Sequence, residues 1–191
     1  MEQRDADVLV VGGGPAGLIT ALLLAQQGVR VHCVTKHPGI SQQPRARGIH
    51  ARAVEILRQC GVEADMRAAE PRIAPRLEVR PSLGSPAIGG TDTGGLALAE
   101  ISPCEGIAIS QDVLESVLRD HVCRQPGATF SVNTEFVGLM CAGSAVRAQL
   151  LDRSTGDTFS VCALPRRRRR MAQRATFSAR VLHGRTRRPR H

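Results

Sequence analysis

Three glycines near the start of the chain, Gly12, Gly14 and Gly17, stand in the spacing G-x-G-x-x-G, with Pro15 and Ala16 between the last two. That spacing suits one kind of chemistry, contact between main-chain amides and a diphosphate. Gly12 permits a tight turn. Gly14 lets the backbone approach a pyrophosphate, and Gly17 lets the following helix lie close to the preceding strand. The pattern carries weight only between a strand and a helix. Val8 to Val11 is a short β-branched run suited to a buried parallel strand. Leu18 to Gln27 is rich in the good helix formers Ala, Leu and Gln, and Gly28 is placed to end that helix. Its N-terminus would aim unpaired N–H groups and a partial positive charge at phosphates. Val29 to Val34 reads as a second strand, completing a βαβ unit of about 30 residues.

Other readings of the opening segment fit poorly. A secretory signal needs a basic start, whereas Met1 to Asp7 carries Glu2, Asp5 and Asp7 against Arg4. A membrane span needs about 18 uninterrupted apolar residues, and here three glycines and Pro15 break the run. One part of the dinucleotide pattern is missing. An acidic residue ordinarily closes the second strand and holds the adenosine ribose hydroxyls. Thr35 and Lys36 stand there instead. Thr35 offers one hydroxyl where a carboxylate would grip two, so weaker ribose binding is expected.

The formal charge of +9 is not spread along the chain. Residues 1–162 hold fifteen Lys and Arg against seventeen Asp and Glu, a net of −2, and residues 163–191 hold eleven arginines and no acid. A nucleic-acid argument from total charge is therefore an argument about the tail alone. The six cysteines stand 18 to 44 residues apart with no C-x-x-C spacing. Zinc is not expected, and free thiols in a reducing cytoplasm are. Four Phe and no Trp or Tyr leave the core to aliphatic side chains and Ala. No Ser-His-Asp or paired-carboxylate arrangement is visible, and His32, His37, His50 and His121 read as packing or surface residues.

Further along, a Pro/Gly-rich loop from His37 precedes a helix over Ala51 to Cys60 with Gly61 as its stop. Gly89-Gly90 and Gly94-Gly95 lack a following helix pattern and read as loop. Gly106 to Val122 reads as a short apolar strand, Ser110 as N-cap, and an amphipathic helix with Val113, Leu114, Val117 and Leu118 on its apolar face. Ala128 to Val132, Glu135 to Cys141, Ala145 to Asp152 and Thr158 to Cys162 read as short strands of a small antiparallel layer.

The glycine turn, the P-R-A stretch at Pro44 to Ala46, the E-I-L-R helix and the I-S-Q element at Ile109 to Gln111 occur in that order. In this the chain resembles the FAD-dependent aromatic hydroxylases, single-component flavoprotein monooxygenases of the polyketide and phenol hydroxylase kind, over about Asp7 to Cys162. The resemblance implies an α/β, Rossmann-like FAD-binding domain with a small antiparallel β meander, incomplete, followed by an Arg-rich irregular tail. It implies domain limits of 1–162 and 163–191. Gly12, Gly14, Pro15, Ala16 and Gly17 would line the FAD pyrophosphate. Thr35 and Lys36 would stand at the ribose, Arg45 would reach the phosphate or ribitol region, and Gln111 would hydrogen-bond along the extended FAD. In intact relatives NAD(P)H reduces the flavin, and one oxygen atom of O₂ passes to a small-molecule aromatic ring, with the substrate held mainly by a second region.

Such enzymes return to the main sheet with a buried strand ending in Asp-Gly. Here the chain reads ALPRRRRRMAQ, and five arginines cannot lie in a buried strand. One permitted codon choice from Leu164 onward, read one base over, spells Tyr-Leu-Val-Ala-Ala-Asp-Gly-Trp. Residues from about 163 on are thus expected to be out of frame. The alternatives are an Arg-rich arm binding nucleic acid through phosphates, with only Phe177 for stacking, or a solvated tail. The function expected is that of an N-terminal monooxygenase fragment with little or no activity, cytoplasmic, poorly soluble and without a membrane partner. The alternatives are a non-catalytic dinucleotide-binding module, and a two-dinucleotide reductase, for which a second glycine fingerprint is lacking.

Overall fold

The computed structural model describes residues 3–40, 47–71, 76–92, 102–142 and 145–163. The first strand, β1 (Gln3–Ala6), leads through Asp7 into β2 (Val8–Val11), which ends at the glycine turn. Helix α1 (Pro15–Gln26) and strand β3 (Val31–Val34) complete the βαβ unit, with β2 and β3 parallel and Val8 opposite Val31. The expected helix start at Leu18 is three residues late, because Pro15 occupies the first helical position with Gly14 as N-cap. Proline fits there, since its ring fixes a helical φ and its missing N–H would be unpaired anyway.

Two helices, α2 (Ala51–Gln59) and α3 (Glu63–Ala68), are followed by the antiparallel hairpin of β4 (Arg76–Val79) and β5 (Gly89–Asp92). Neither α3 nor the hairpin was legible as such, and Gly89-Gly90, expected as loop, lies in β5. Helix α4 (Gln111–Cys123) leads to β6 (Ala128–Ser131), and β7 (Thr134–Ala142), β8 (Ala145–Asp152) and β9 (Thr158–Ala163) follow.

The strands form two larger sheets. One is parallel, in the order β2-β3-β6, and the other runs β1-β9-β8-β7. The expectation that 128–132 begins the antiparallel layer is thereby corrected. β6 pairs parallel with β3, Val31 opposite Ala128 and Val34 opposite Ser131. A buried neighbour with helical connections on both sides makes β6 the third strand of the nucleotide-binding sheet. The meander is β7-β8-β9, antiparallel throughout, and β1 joins β9 in parallel.

Alternation along β3 explains how both faces of the parallel sheet are covered. Val31 and Cys33 join a core with Leu18, Ala21, Leu22, Val54, Leu57, Leu118 and Val122, on the side of the helices. Val34 faces the other way, into a smaller core with Ala6, Leu150 and Val161 from the second sheet. All four residues of β3 are buried. On α4 the buried positions are Glu115, Leu118 and Val122, with Val113, Leu114 and Val117 partly buried against the same core. Helices α1 and α4 pack on each other, which brings the start of α4 beside the glycine turn. Among the described residues no helix is long and apolar enough to cross a membrane.

A polar network fixes the approach to α4. Arg58 and Arg67 both donate to Glu63, Arg58 also donates to the Pro103 carbonyl at 3.2 Å, and Arg67 to the Glu105 carbonyl at 3.1 Å. Ile49 pairs with Ile107, and the Ala108 amide donates to Glu70 at 2.7 Å. The hydrogen bonds from Arg58 and Arg67 hold the Glu63 carboxyl at about 2, below its ordinary 4.5. A depressed carboxylate stabilises the fold above its unfolded value, and that contribution fades as pH falls from 4.5 toward 2. Glu63→Gln should therefore lower the melting temperature at neutral pH, and its melting curve should converge on that of the unmodified protein near pH 2 to 3. Calorimetric melts across that range check this.

Candidate functional site

At the end of β2 the chain turns at Gly12, whose φ of +119° suits glycine and few other residues. The Gly12 amide donates to the Val34 carbonyl at 2.8 Å, and the buried Cys33 thiol donates to the Gly12 carbonyl at 3.8 Å. Burial, with the neighbouring Cys123, pushes that thiol up to about 12, so it stays protonated and serves as packing. A Cβ on Gly17 would stand 1.9 Å from the Gly12 carbonyl oxygen, so helix and strand meet here at a distance only glycine permits. The first backbone bond of α1 runs from the Leu18 amide to the Gly14 carbonyl. The amides of Ala16 and Gly17 precede it and are left for a ligand, as in the first turn of any helix.

The turn forms one wall of an open cleft of about 1610 Å³. Gly12, Gly13 and Gly14 lie on one side, Thr35, Lys36 and the His37–Ile40 loop on another, and Gln111, Asp112 and Glu115 of α4 on a third. Residues Thr134 to Phe136, where β7 begins, complete it. Ordinary small-molecule pockets run to roughly 300–1000 Å³, so this one has room for an extended ligand.

The end of β3 is held from several directions. The Thr35 amide donates to the Ser131 carbonyl at 2.9 Å, and the Thr134 amide donates to the Thr35 carbonyl at 2.8 Å. Asn133, in the β6–β7 turn, donates from its amide to the His37 carbonyl at 3.1 Å, and Arg153 donates to the Lys36 carbonyl at 3.3 Å. Thr35 Oγ1 itself accepts from the His37 amide at 3.4 Å. At the start of α4, Ser110 holds the N-cap position expected of it, with no side-chain bond to the helix amides. Its hydroxyl, with the first-turn backbone, holds the Asp112 carboxyl below the usual carboxylate range. Gln111 is the first residue of the helix, and its Nε2 donates to Glu115 Oε1 at 2.6 Å.

Of the residues marked in the sequence, Gly12, Gly14, Thr35, Lys36 and Gln111 meet around one cleft, and Pro15, Ala16 and Gly17 form the first turn of α1 beside it. Arg45, with Pro44 and Ala46, lies outside the described residues. Gly13, the 37–40 loop, Asp112, Glu115 and 134–136 were not marked. For Glu115 a signal existed, since Gln111 and Glu115 stand four apart on an expected helix and so share a face. Among the described residues there is no cluster of His, Cys, Asp and Glu able to hold a metal ion.

A parallel sheet with a glycine turn feeding a helix N-terminus, opening on an extended cleft, defines a dinucleotide-binding α/β domain. The chain belongs to the FAD binding domain family, whose pattern matches residues 5–164. It is similar to the tetracenomycin A2 monooxygenase-dioxygenase of Streptomyces glaucescens, 33% identical over 181 residues, covering 85% of this chain and 32% of that protein. It is also similar to the 2,4-dichlorophenol 6-monooxygenase of Delftia acidovorans, 35% identical over 161 residues, covering 78% and 27%. Among solved structures, the flavin-dependent monooxygenase PieE in complex with FAD and substrate superposes with a TM-score of 0.74 at 30% identity, covering 84% of this chain and 29% of that one. The chain thus spans between a quarter and a third of the length of these curated relatives.

Proposed function

We propose that the chain binds FAD in extended form along this cleft and is the N-terminal portion of an FAD-dependent aromatic-ring monooxygenase. The observation that carries this is the glycine cradle itself. Gly17 closes strand onto helix, Gly14 leaves open space, and two unpaired amides stand at a helix N-terminus. That is a site for a diphosphate before any relative is considered. Gly12, Gly14, Ala16 and Gly17 would line the pyrophosphate, the amides of Ala16 and Gly17 would donate to it, and Pro15 would fix the helix start behind it. Thr35 and Lys36 would stand at the adenosine ribose, Gln111 on the flavin side, and Arg45 near the phosphate or ribitol. Bound FAD would supply the redox chemistry, while these residues bind it and orient it. A phenolic or polyketide substrate is proposed from relatives whose names carry one, the 2,4-dichlorophenol 6-monooxygenase and a putative polyketide hydroxylase of Streptomyces halstedii, and NAD(P)H as reductant from the resemblance alone.

Three observations support a portion lacking turnover. The family match ends at residue 164, two residues before the arginine run begins at Arg166. The strand β2 pairs only with β3 among the described residues, so its other edge is open. Val137 and Leu139 on β7 are each 57% exposed. Apolar surface of that kind is ordinarily covered by further protein. The domain limits 1–162 and 163–191, and a shifted reading frame for the tail, belong to the same proposal. So does a cytoplasmic setting, supported by the free thiols of Cys33, Cys60, Cys104 and Cys123. Supplied with FAD, NADPH and a panel of phenols, the chain should consume oxygen no faster than free FAD does. Substrate-dependent consumption with a hydroxylated product would overturn the inactive reading.

The missing acid gives a second test. Thr35→Glu should tighten FAD about tenfold, one carboxylate gripping the ribose hydroxyls that a single hydroxyl holds weakly. Fluorescence titration reads this, and an unchanged or weaker affinity would remove Thr35 from the ribose position.

A further inference from the structure

The end of β3 departs from the dinucleotide pattern in charge as well as in shape. An acid at that position accepts from the ribose hydroxyls, and its charge repels any anion attached to them. Here Thr35, Lys36 and His37 stand instead, and all three line the cleft. A pair of hydroxyls is poorly served by them. A phosphate is well served, since it carries a charge of about −1.5 to −2 at neutral pH and its outer oxygens accept.

The donors at this end are held in place. The Thr35 amide donates to the Ser131 carbonyl, and the Thr35 carbonyl accepts from the Thr134 amide. Thr35 Cβ lies 2.9 Å from the point a Cβ on Gly13 would occupy, so the side chain packs on the glycine turn. Its Oγ1 accepts from the His37 amide at 3.4 Å, which leaves the hydroxyl hydrogen to donate. Lys36 is exposed, brings three N–H donors, and makes no ion pair with another described residue. Arg153 adds a second cation, donating to the Lys36 carbonyl at 3.3 Å. Acids line the cleft as well. Glu135 lies 3.6 Å from Arg153 Nε, and Glu115, which shares a small recess with Thr35, is 6% exposed and accepts from Gln111. Asp112 belongs to the first turn of α4, on the third side of the cleft.

We propose that the ribose end of this cleft takes a phosphorylated ribose. The glycine cradle binds a 2′-phosphorylated adenine dinucleotide of the NADP class, with Thr35 and Lys36 donating to the 2′-phosphate, in preference to the same dinucleotide without that phosphate. This goes beyond the FAD reading and shares with it only the diphosphate cradle, for which the two ligands compete.

Calorimetric titration of the full 191-residue chain with NADP and with NAD, which differ only in the 2′-phosphate, tests this. NADP should bind about tenfold tighter, and the ratio should shrink as salt rises. Lys36→Gln, at an exposed position, should remove most of that ratio while leaving NAD within about twofold. Thr35→Glu should invert the order, since its carboxylate grips the free hydroxyls of NAD and repels the phosphate. Should Thr35→Glu fail to melt cooperatively, Lys36→Gln carries the comparison alone. Excess ADP should displace NADP from the shared cradle. Equal affinity for NADP and NAD would overturn the inference. A preference that survives Lys36→Gln, or NADP that excess ADP does not displace, would overturn it too and assign the phosphate to the arginines of residues 163–191. FAD binding with no preference for NADP over NAD would remove this inference and leave the FAD reading standing. A chain that bound none of the three would remove both.

Discussion

Gly17→Val should leave a chain that neither melts cooperatively nor binds flavin. A Cβ at this position would lie 1.9 Å from the Gly12 carbonyl oxygen and 3.1 Å from its carbon. The obstacle is backbone, so no rotamer change relieves it. Either α1 must lift away from β2, or the turn at Gly12 must open. Lifting α1 uncovers Leu18 and Leu22, which are almost wholly buried against β3 and α4. Ordinary overpacking costs about 1–3 kcal/mol. Separating a helix from its sheet adds the loss of buried Leu side chains, about 1.5–3 kcal/mol each. Against a total stability of about 5–15 kcal/mol for a domain, that is enough to unfold it. Denaturant unfolding followed by circular dichroism reads the result. A melt matching the unmodified protein would show that helix and strand do not meet as closely as described.

Gly14→Val should do the opposite, keeping the fold and losing the ligand. Gly14 has φ −78° and ψ 177°, which any residue adopts. The nearest atom to a Cβ there is Glu115 Oε1 at 3.9 Å, an ordinary contact. Losing a tolerated N-cap costs about 1 kcal/mol. The space the isopropyl group fills is the space a diphosphate needs, and it keeps the phosphate oxygens from the Ala16 and Gly17 amides. FAD affinity should fall about 100-fold or more, while the melting temperature in the absence of ligand moves by only a few degrees. Loss of folding together with loss of binding would make Gly14 structural.

Much of this arrangement was legible in the sequence because it is local. The spacing of Gly12, Gly14 and Gly17 follows from contacts within a single turn, and Gly28 and Gly61 follow the ends of α1 and α2 with positive φ, as expected. The parts that were not legible depend on distant partners. Gln3–Ala6 is a strand only because β9 lies beside it, more than 150 residues later. Ala128–Ser131 alternates like the strands that follow it, and nothing in its own sequence says that it pairs with Val31–Val34 and not with β7. The hairpin of β4 and β5 contains Gly89 and Gly90, poor strand formers that pairing holds extended. In the site, Gln111 could be marked by resemblance. Glu115 shares a helix face with Gln111 in the sequence, but its burial comes from the packing of α4 on α1, which turns it inward where a charged residue would ordinarily face water.

The central claim is that main-chain amides at the start of α1 hold the diphosphate of FAD, and calorimetric titration of the purified, folded chain with FAD tests it most directly. The expected result is saturable binding of one FAD per chain, competed by ADP and lost in Gly14→Val. Cooperatively folded protein that releases no heat with FAD and leaves the flavin's fluorescence unchanged would contradict it.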